Sequence, residues 1–210
     1  MKLKICGMKF PENLLEVSAL QPDYLGFIFY EKSPRYMADT LTPEDLIPLP
    51  DRIQKIGVFV NAKAEEMIAQ AQKFGLNGLQ LHGAEPPETC QQLHENDYVV
   101  IKVFSLGKGD FDFSQLQAYQ PYVDYFLFDT QTQQYGGSGE SFDWDQLKAY
   151  DLPTPFFLSG GISLNNLDRA LQVDHPQLFG IDVNSRFETE PGQKDIPQLQ
   201  KLVNQLRKSE

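Results

Sequence analysis

The sequence predicts a single (β/α)8 barrel of the α/β class spanning residues 1–210, and three observations lead to this prediction. Eight short apolar runs, rich in β-branched and aromatic residues, follow one another at a mean repeat of about 25 residues. These runs are apolar almost throughout, which is typical of parallel strands whose two faces are both covered. Amphipathic helical patterns fill most of the intervals, so strands and helices alternate along the chain.

The eight predicted strands begin at the start of the chain and end near residue 183. In order they are "LKIC" near 3, "YLGFIF" near 24, "IGVFV" near 56, "GLQL" near 78, "YVVIKVF" near 98, "YFLF" near 125, "PFFLS" near 155 and "FGIDV" near 179. The competing architecture is an open doubly wound sheet, which usually carries a glycine-rich dinucleotide turn after its first strand. The segment "CGMKFPEN" has no G-x-G-x-x-G pattern, so the closed barrel is favoured.

Three helices have clear sequence signals. The pattern over 62–74 ends at Gly75, a residue suited to a helix C-terminus, and its apolar face consists of Ala64, Met67, Ile68, Ala71 and Phe74. Thr42, Pro43 and Asp45 mark a helix start as cap, first-turn and third-position residues. A last helix is predicted from the apolar stripe of Ile196, Leu199, Leu202, Val203 and Leu206. The segment from about 105 to 123 predicts only a short helix.

Composition predicts a cytoplasmic protein that does not cross a membrane. The longest apolar runs fall far short of the roughly 18 residues needed to span a bilayer. The N-terminus lacks the apolar core and small-residue cleavage site of a signal peptide. Cys6 and Cys90 are the two cysteines of the chain, and counting alone leaves a disulfide between them open, but disulfides are rare in the cytoplasm.

The formal net charge of −11 argues against a nucleic-acid partner, because such binding normally needs a basic patch. An anionic small molecule is still compatible with this charge, since backbone N–H groups and one or two cations can hold a phosphate locally. Nothing in the sequence indicates an obligate protein partner.

Polar residues follow most of the predicted strands. In a parallel barrel the active site lies at the C-terminal ends of the strands, so these residues are expected to meet at one mouth. They are Cys6, Ser33–Arg35, Asn61, His82 with Gly83, Asp129, Gly160 with Gly161, and Asn184 with Ser185.

Each of these residues also has a purely structural interpretation when it is considered alone. His82 could be a hydrogen-bonded structural histidine, Arg35 a surface charge, and Asp129 a turn cap. Gly160 and Gly161 could mark a tight turn. Their position after the seventh strand favours phosphate binding, because loops after strands seven and eight frequently hold phosphate in this architecture.

Seven motifs, in order along nearly the whole chain, resemble the phosphoribosylanthranilate isomerase family. They are "KICGMK", "GFIF" with "SPR", "IGVFVN", "LQLHG", "FDT" with "YGGSGESFDW", "LSGGI" and "GIDVNSRFE". The resemblance implies a (β/α)8 barrel that catalyses an Amadori rearrangement in tryptophan biosynthesis without a metal or organic cofactor. The implied substrate is N-(5′-phosphoribosyl)anthranilate, and the implied product is 1-(o-carboxyphenylamino)-1-deoxyribulose 5-phosphate.

The same resemblance implies roles for individual residues. Asp129 would be the general acid that opens the ribose ring, and Cys6 the general base that removes the C2′ proton. Arg35 would engage the anthranilate carboxylate, and His82 and Asp182 would lie near the substrate. The backbones of the two strand-end loops would hold the phosphate, through Gly160, Gly161, Asn184 and Ser185.

One position departs from the family pattern. Many relatives have glycine in "SSGVE" where this chain has Arg186 in "NSRFE". Either the loop avoids a positive φ at this position, or the guanidinium takes part in phosphate binding, and the sequence leaves both open.

A thiol with an ordinary pKa near 8.5 is a poor base, so a thiolate at Cys6 needs stabilisation. Side-chain alternation puts Lys4 on the same strand face as Cys6. Lys102 lies within the fifth strand and Asp182 within the eighth, and buried charges seldom stay unpaired. We therefore expect Lys4, Lys102 and Asp182 to form an interior charged group beneath Cys6. The alternative is that Lys2 and Lys4 extend to solvent at the lower rim.

Other functions on the same scaffold are less consistent with the sequence. A ribulose-phosphate epimerase would use metal-binding histidines and acids on several strands, and two of the three histidines, His94 and His175, lie in helical or loop segments. The lysine and glutamate pattern of an indole-glycerol-phosphate synthase is not recognisable. A barrel that binds phosphosugars without turnover is the non-enzymatic alternative, and the presence of both Cys6 and Asp129 argues against it.

Overall fold

A computed structural model describes residues 1–107, 109–130 and 143–208 of the chain. Its first eight strands close into a barrel in which each strand pairs in parallel with the next and β8 returns to pair with β1. They are β1 (Lys2–Cys6), β2 (Tyr24–Ile28), β3 (Gln54–Phe59), β4 (Gly78–Leu81), β5 (Val99–Leu106), β6 (Tyr125–Thr130), β7 (Phe156–Leu158) and β8 (Leu178–Val183). The predicted (β/α)8 architecture is confirmed.

Helices lie between the strands, as the periodicity predicts. The α-helices are α1 (Pro11–Ala19), α2 (Pro43–Leu46), α3 (Ala64–Phe74), α4 (Pro87–His94), α5 (Leu167–Leu171) and α6 (Ile196–Lys208). Short 3₁₀ segments stand in for full helices after β5 and in the described part of the connection after β6, at Phe113–Ala118, Gln120–Tyr122 and Trp144–Ala149. The motif "YGGSGESFDW" lies outside the described residues except for its last two positions.

The predicted helix start at Thr42 and the predicted helix end before Gly75 are confirmed, whereas α3 begins at Ala64 and not at residue 62. The backbone N–H and the hydroxyl of Thr42 both donate to Asp45 Oδ2, at 2.7 and 2.9 Å. The Asp45 side chain thus caps the N-terminus of α2. Helix α3 ends at Gly75, whose φ of 58° is readily adopted by glycine.

The hydrophobic core has two layers, one between the barrel and its helices and one inside the barrel. The inner layer consists of Tyr24, Ile56, Ile101, Val103, Leu127 and Phe157. Tyr24 and Tyr125 begin their strands, and with Phe157 and Phe179 they form edge-to-face and tilted ring pairs at the N-terminal end of the barrel. Packed rings therefore fill this end of the barrel, opposite the C-terminal mouth where active sites of such barrels lie.

Lys102 does not belong to the interior charged group, so that part of the prediction is wrong. Its neighbours Ile101 and Val103 point into the barrel, and alternation therefore turns Lys102 outward, toward α4. There its ammonium lies 3.1 Å from Glu85 Oε2 and donates to the carbonyl of Gly83 at 2.7 Å. A lysine within a strand can be predicted to be buried, but its position in the run does not say which face of the strand it occupies. On the outward face of β5, Glu85 is the partner of Lys102.

A two-stranded antiparallel hairpin follows β8 and was not predicted. It consists of β9 (Glu188–Glu190) and β10 (Gln193–Lys194), and it precedes α6. Cys6 and Cys90 are both buried and unbridged, as expected. Across the described ranges, no helix has the length and apolarity to cross a membrane.

Candidate active site

Cys6 ends β1 with its thiol at the inner rim of the mouth, 4% exposed. The residue beside it on β2 is Gly26, and a Cβ at that position would lie 2.7 Å from the sulfur. Gly26 thus provides the room that the thiol occupies. Gly7 follows at a φ of 82°, a left-handed turn that carries the chain away from the sulfur.

A buried ion pair lies directly below the thiol. Lys4 Nζ is 2.9 Å from Asp182 Oδ1, and the two side chains are 0% and 7% exposed. The residues are register partners in the β1–β8 pairing, so both point into the barrel. The predicted interior position of Lys4 and Asp182 is confirmed, and Lys4 does not extend to solvent. Burial lowers the pKa of Lys4, but Asp182 and Cys6 raise it by more, so the ammonium stays charged.

The surroundings of Cys6 act on the pKa of its thiol in opposite directions. Burial raises the pKa of Cys6 above its ordinary value, and Asp182 adds to that rise. Lys4 and Lys194 lower the pKa of Cys6, and Lys4 also hydrogen-bonds to it. The two ammonium groups are therefore the features of this site that favour a thiolate.

Asp129 and His82 form the second pair at the mouth. His82 Nε2 lies 3.5 Å from Asp129 Oδ2, and the two side chains are 30% and 27% exposed. Asp129 Oδ1 accepts the N–H of Thr130 at 2.7 Å, which fixes the carboxyl group on its strand end. His82 Nδ1 faces the amide nitrogen of Gln80 at 3.3 Å. The carboxyl group and the imidazole are thus neighbours at the mouth, and both are partly exposed to solvent.

Asp182 connects the two pairs. It contacts Lys4 beneath Cys6, and it is close enough to Asp129 and His82 for their charges to act on its own pKa. The thiol from β1 and the carboxyl from β6 therefore belong to one continuous group of charges at the same end of the barrel.

The loop after β7 contains two glycines in the left-handed region. Gly160 and Gly161 have φ values of 84° and 68°, and a Cβ on Gly160 would collide with Thr130. The side chain of Asn166 accepts the N–H of Ser163 at 2.8 Å and donates to the carbonyl of Gly161 at 3.0 Å, which fixes the loop.

The loop after β8 contains the second pair of predicted phosphate ligands. Asn184 precedes a 3₁₀ turn over Ser185–Phe187. Arg186 is exposed in this turn, and it is not among the non-glycine residues of the described chain that have a positive φ. The loop thus avoids the left-handed conformation that a glycine would allow, which agrees with the first interpretation of this departure.

Arg35 reaches the mouth from the loop after β2, and the structure pairs it with Glu188 of β9 at 2.7 Å. Glu188 also accepts from Lys194, whose side chain is 0% exposed. Sequence reasoning missed both Glu188 and Lys194. Glu188 ends the motif "GIDVNSRFE" and could have been examined there, whereas Lys194 has no local signal, because its importance comes from a hairpin that brings it back to the mouth.

Comparisons with known proteins agree with one another. A family profile described as PRAI, N-(5'phosphoribosyl)anthranilate (PRA) isomerase, matches residues 3–205. An N-(5'-phosphoribosyl)anthranilate isomerase from Parabacteroides distasonis is 45% identical over 212 residues, covering 98% of this chain and 93% of the relative. The crystal structure of the phosphoribosyl anthranilate isomerase of Thermotoga maritima is 34% identical, covers 99% of both chains and has a TM-score of 0.86.

A further solved relative contains a ligand. It is a phosphoribosyl anthranilate isomerase in complex with reduced 1-(o-carboxyphenylamino)-1-deoxyribulose 5-phosphate. It is 32% identical to this chain, covers 99% of both chains and has a TM-score of 0.81.

Proposed function

This chain belongs to the N-(5'-phosphoribosyl)anthranilate isomerase family, and on that premise we propose that Cys6 and Asp129 catalyse the isomerisation that the family performs in tryptophan biosynthesis. The reaction converts the aminoaldose N-(5′-phosphoribosyl)anthranilate into the aminoketose 1-(o-carboxyphenylamino)-1-deoxyribulose 5-phosphate. It moves protons within one molecule, so the substrate supplies every atom of the product.

The proposed chemistry begins with two proton transfers that involve Asp129 and Cys6, and a tautomerisation that moves a proton from O2′ to C1′ completes it. Asp129 gives a proton to the ribose ring oxygen, the C1′–O bond breaks, and a Schiff base forms between C1′ and the anthranilate nitrogen. The Cys6 thiolate then removes the proton from C2′, and the electron pair moves into an enolamine. Tautomerisation of the enolamine gives the ketone, and no metal or organic cofactor takes part in these steps.

One observation supports this assignment above the others: a buried thiol with a cation beneath it and a part-exposed carboxyl beside an imidazole share one barrel mouth. Cys6 has Lys4 below it, and Asp129 has His82 at 3.5 Å. A base that needs stabilisation as an anion and an acid that needs access to solvent are the two groups that the reaction requires.

Substrate binding is proposed to use the surrounding loops. The backbones of Gly160, Gly161, Asn184 and Ser185 hold the phosphate at the mouth. Arg35 engages the carboxylate of the anthranilate ring, because a guanidinium matches a carboxylate in shape and charge.

The proposed function is tested by following the fluorescence of phosphoribosylanthranilate after the protein is added. We expect a decay that accelerates in proportion to the protein concentration. A barrel that only binds phosphosugars would bind the reduced product analogue in calorimetry and leave the fluorescence decay at its uncatalysed rate, and that result would refute the assignment.

Replacing Lys4 with methionine should raise the pKa of Cys6, because it removes the cation that favours the thiolate. The measurement is the pH dependence of iodoacetamide alkylation, made in a Cys90→Ser background so that only one thiol reacts. We expect the midpoint to move to higher pH and alkylation at neutral pH to slow by about tenfold or more. The kinetic pKa of the base should move in the same direction.

Two controls separate this effect from general damage. Lys148→Met removes an ammonium from an exposed pair with Asp145 and should leave the alkylation profile unchanged. The double variant Lys4→Met/Asp182→Asn leaves no unpaired charge inside the barrel, and its midpoint should lie below that of Lys4→Met, because Asp182 raises the pKa of Cys6. Identical profiles for Lys4→Met and the unmodified chain would exclude a role for Lys4 in activating the thiol.

A further inference from the structure

Glu188 holds one edge of the Arg35 guanidinium. Arg35 Nε lies 3.0 Å from both Glu188 oxygens, and Nη2 lies 2.7 Å from Oε2. The two side chains are 12% and 3% exposed. Since these bonds use Nε and Nη2, the Nη1 side of the planar group faces away from Glu188. The guanidinium is thus fixed in orientation and keeps a donor edge for another anion.

Lys194 also binds the carboxylate of Glu188. Its ammonium is 2.6 Å from Glu188 Oε1 and 2.8 Å from Asn184 Oδ1. The backbone of Lys194 is held by the buried side chain of Asn13, which accepts its N–H at 2.7 Å and donates to its carbonyl at 3.0 Å. Asn13, Arg35 and the segment that contains Asn184, Glu188 and Lys194 therefore form one connected cluster.

The cluster lies beside the catalytic thiol. The side chain of Arg35 passes so close to Gly7 that a Cβ on Gly7 would lie 2.9 Å from Arg35 Cδ, and the same Cβ would lie 2.7 Å from Asn184 Oδ1. Gly7 immediately follows Cys6. A shift of Arg35 or Asn184 would therefore change the packing around Gly7, next to the proposed base.

The cluster contains two cationic side chains and one anionic side chain. Arg35 and Lys194 are the cations and Glu188 is the anion, and burial lowers the pKa of Lys194. Burial raises the pKa of Glu188, but the hydrogen bonds from Arg35 and Lys194 lower it by more, so Glu188 is ionised. With Lys194 protonated, the cluster has a net positive charge and attracts an anion even with Glu188 in place.

We propose that Glu188, anchored by Lys194, is a positioning residue that determines specificity for the aromatic carboxylate of the substrate, because it fixes the guanidinium of Arg35. This inference rests on the proposed function, in which Arg35 meets that carboxylate. Glu188 does not itself touch the substrate. It restrains a long side chain, so that less conformational freedom is lost when the carboxylate binds.

The proposal is tested with two ligands that differ in a single group. One is reduced 1-(o-carboxyphenylamino)-1-deoxyribulose 5-phosphate, and the other is its phenylamino counterpart without the carboxylate. Their dissociation constants are measured by calorimetry on the unmodified chain and on Glu188→Gln/Lys194→Met. This double variant removes one charge of each sign, so the net charge at the mouth is unchanged and neither member of the Glu188–Lys194 pair is left as an unpaired buried charge.

We expect the double variant to bind the carboxylated ligand about 10- to 100-fold more weakly while its affinity for the phenylamino ligand changes less than about threefold. For Glu188→Asp, which keeps Lys194, the KM of the isomerisation should rise and kcat should be largely retained. The double variant should also lose kcat, because Lys194 lowers the pKa of Cys6. Glu188→Asp keeps the charge and withdraws the carboxylate, so it should show the same selective loss to a smaller degree. Lys148→Met serves as the control for a lost lysine and should bind both ligands normally.

Several results would overturn the inference. Tighter binding of the carboxylated ligand by the double variant would mean that Glu188 competes with substrate for Arg35. An equal loss for both ligands would indicate general loosening of the mouth, and unchanged affinities would indicate a purely structural pair. If the double variant does not melt cooperatively, Glu188→Asp is judged by the same criteria.

Failure of the proposed function gives different results. In that case the unmodified chain would leave phosphoribosylanthranilate unconverted, or it would bind the two ligands with equal affinity. The unmodified chain therefore tests the function, and the variants test the role of Glu188.

Discussion

Replacing Cys6 with serine is expected to lower kcat for the isomerisation by about 10²–10⁴-fold, the usual cost of removing a positioned base. Serine matches cysteine in shape but ionises far less readily, so Lys4 cannot hold its oxygen as an anion at neutral pH. The measurement is the fluorescence decay of phosphoribosylanthranilate at saturating substrate. KM should change little, because the loops that bind the phosphate and the carboxylate are untouched.

The second cysteine supplies a matched control for this prediction. Cys90 lies in α4 on the outer side of the barrel, where it is fully buried. Cys90→Ser makes the same chemical change away from the mouth, so it should retain kcat even if the protein becomes less stable. A Cys6→Ser variant that turns over at a near-normal rate would remove Cys6 from the mechanism.

The barrel could be predicted because its signals are local. Each strand is an apolar run, and helices such as α3 end at a glycine, so the alternation is visible in short windows of sequence. The end of a strand is also visible, and a closed parallel barrel brings all such ends together. This reasoning alone predicted that Cys6, His82 and Asp129 lie at the same mouth of the barrel.

The partners of buried charges were harder to predict because they depend on the face of a strand and on long-range pairing. Lys4 and Asp182 are 178 residues apart, yet strand parity sufficed, because β1 and β8 are neighbours in a closed barrel. The same reasoning failed for Lys102, which occupies the outer face of β5 and pairs with Glu85. The pairing of Glu188 with Arg35 was not predicted, because the short hairpin that contains Glu188 has weak strand signals.

The pKa of Cys6 depends on charges from several strands. Burial alone makes an anion on Cys6 unfavourable, and Asp182 makes it more so. Lys4 and Lys194 act in the opposite direction, one from beneath and one from the hairpin after β8. The substrate would also add charge to the mouth, and the cationic cluster around Arg35 offsets part of it. Residues of β1, β8 and β10 together therefore set the pKa of Cys6.

Replacing Asp129 with asparagine is expected to lower kcat by about 10²–10⁴-fold, because ring opening loses its proton donor. Asparagine has nearly the same shape and can still accept the N–H of Thr130, so the strand end should keep its conformation. His82 would remain at the mouth, but without the carboxyl it has no acid to exchange a proton with. The measurement is again kcat from the fluorescence decay, with circular dichroism to verify the fold.

The same strand offers a control at its opposite end. Asp124 precedes β6, and its carboxylate accepts the N–H of Val100 at 2.8 Å, far from the mouth. Asp124→Asn keeps an acceptor at that position and should leave kcat unchanged. If Asp129→Asn and Asp124→Asn were equally active, ring opening would need another acid, and His82 would be the next residue to replace. A large loss of kcat confined to Asp129→Asn, with binding of the reduced product analogue preserved, would indicate that Asp129 donates a proton. Substrate binding would then not depend on this carboxyl group.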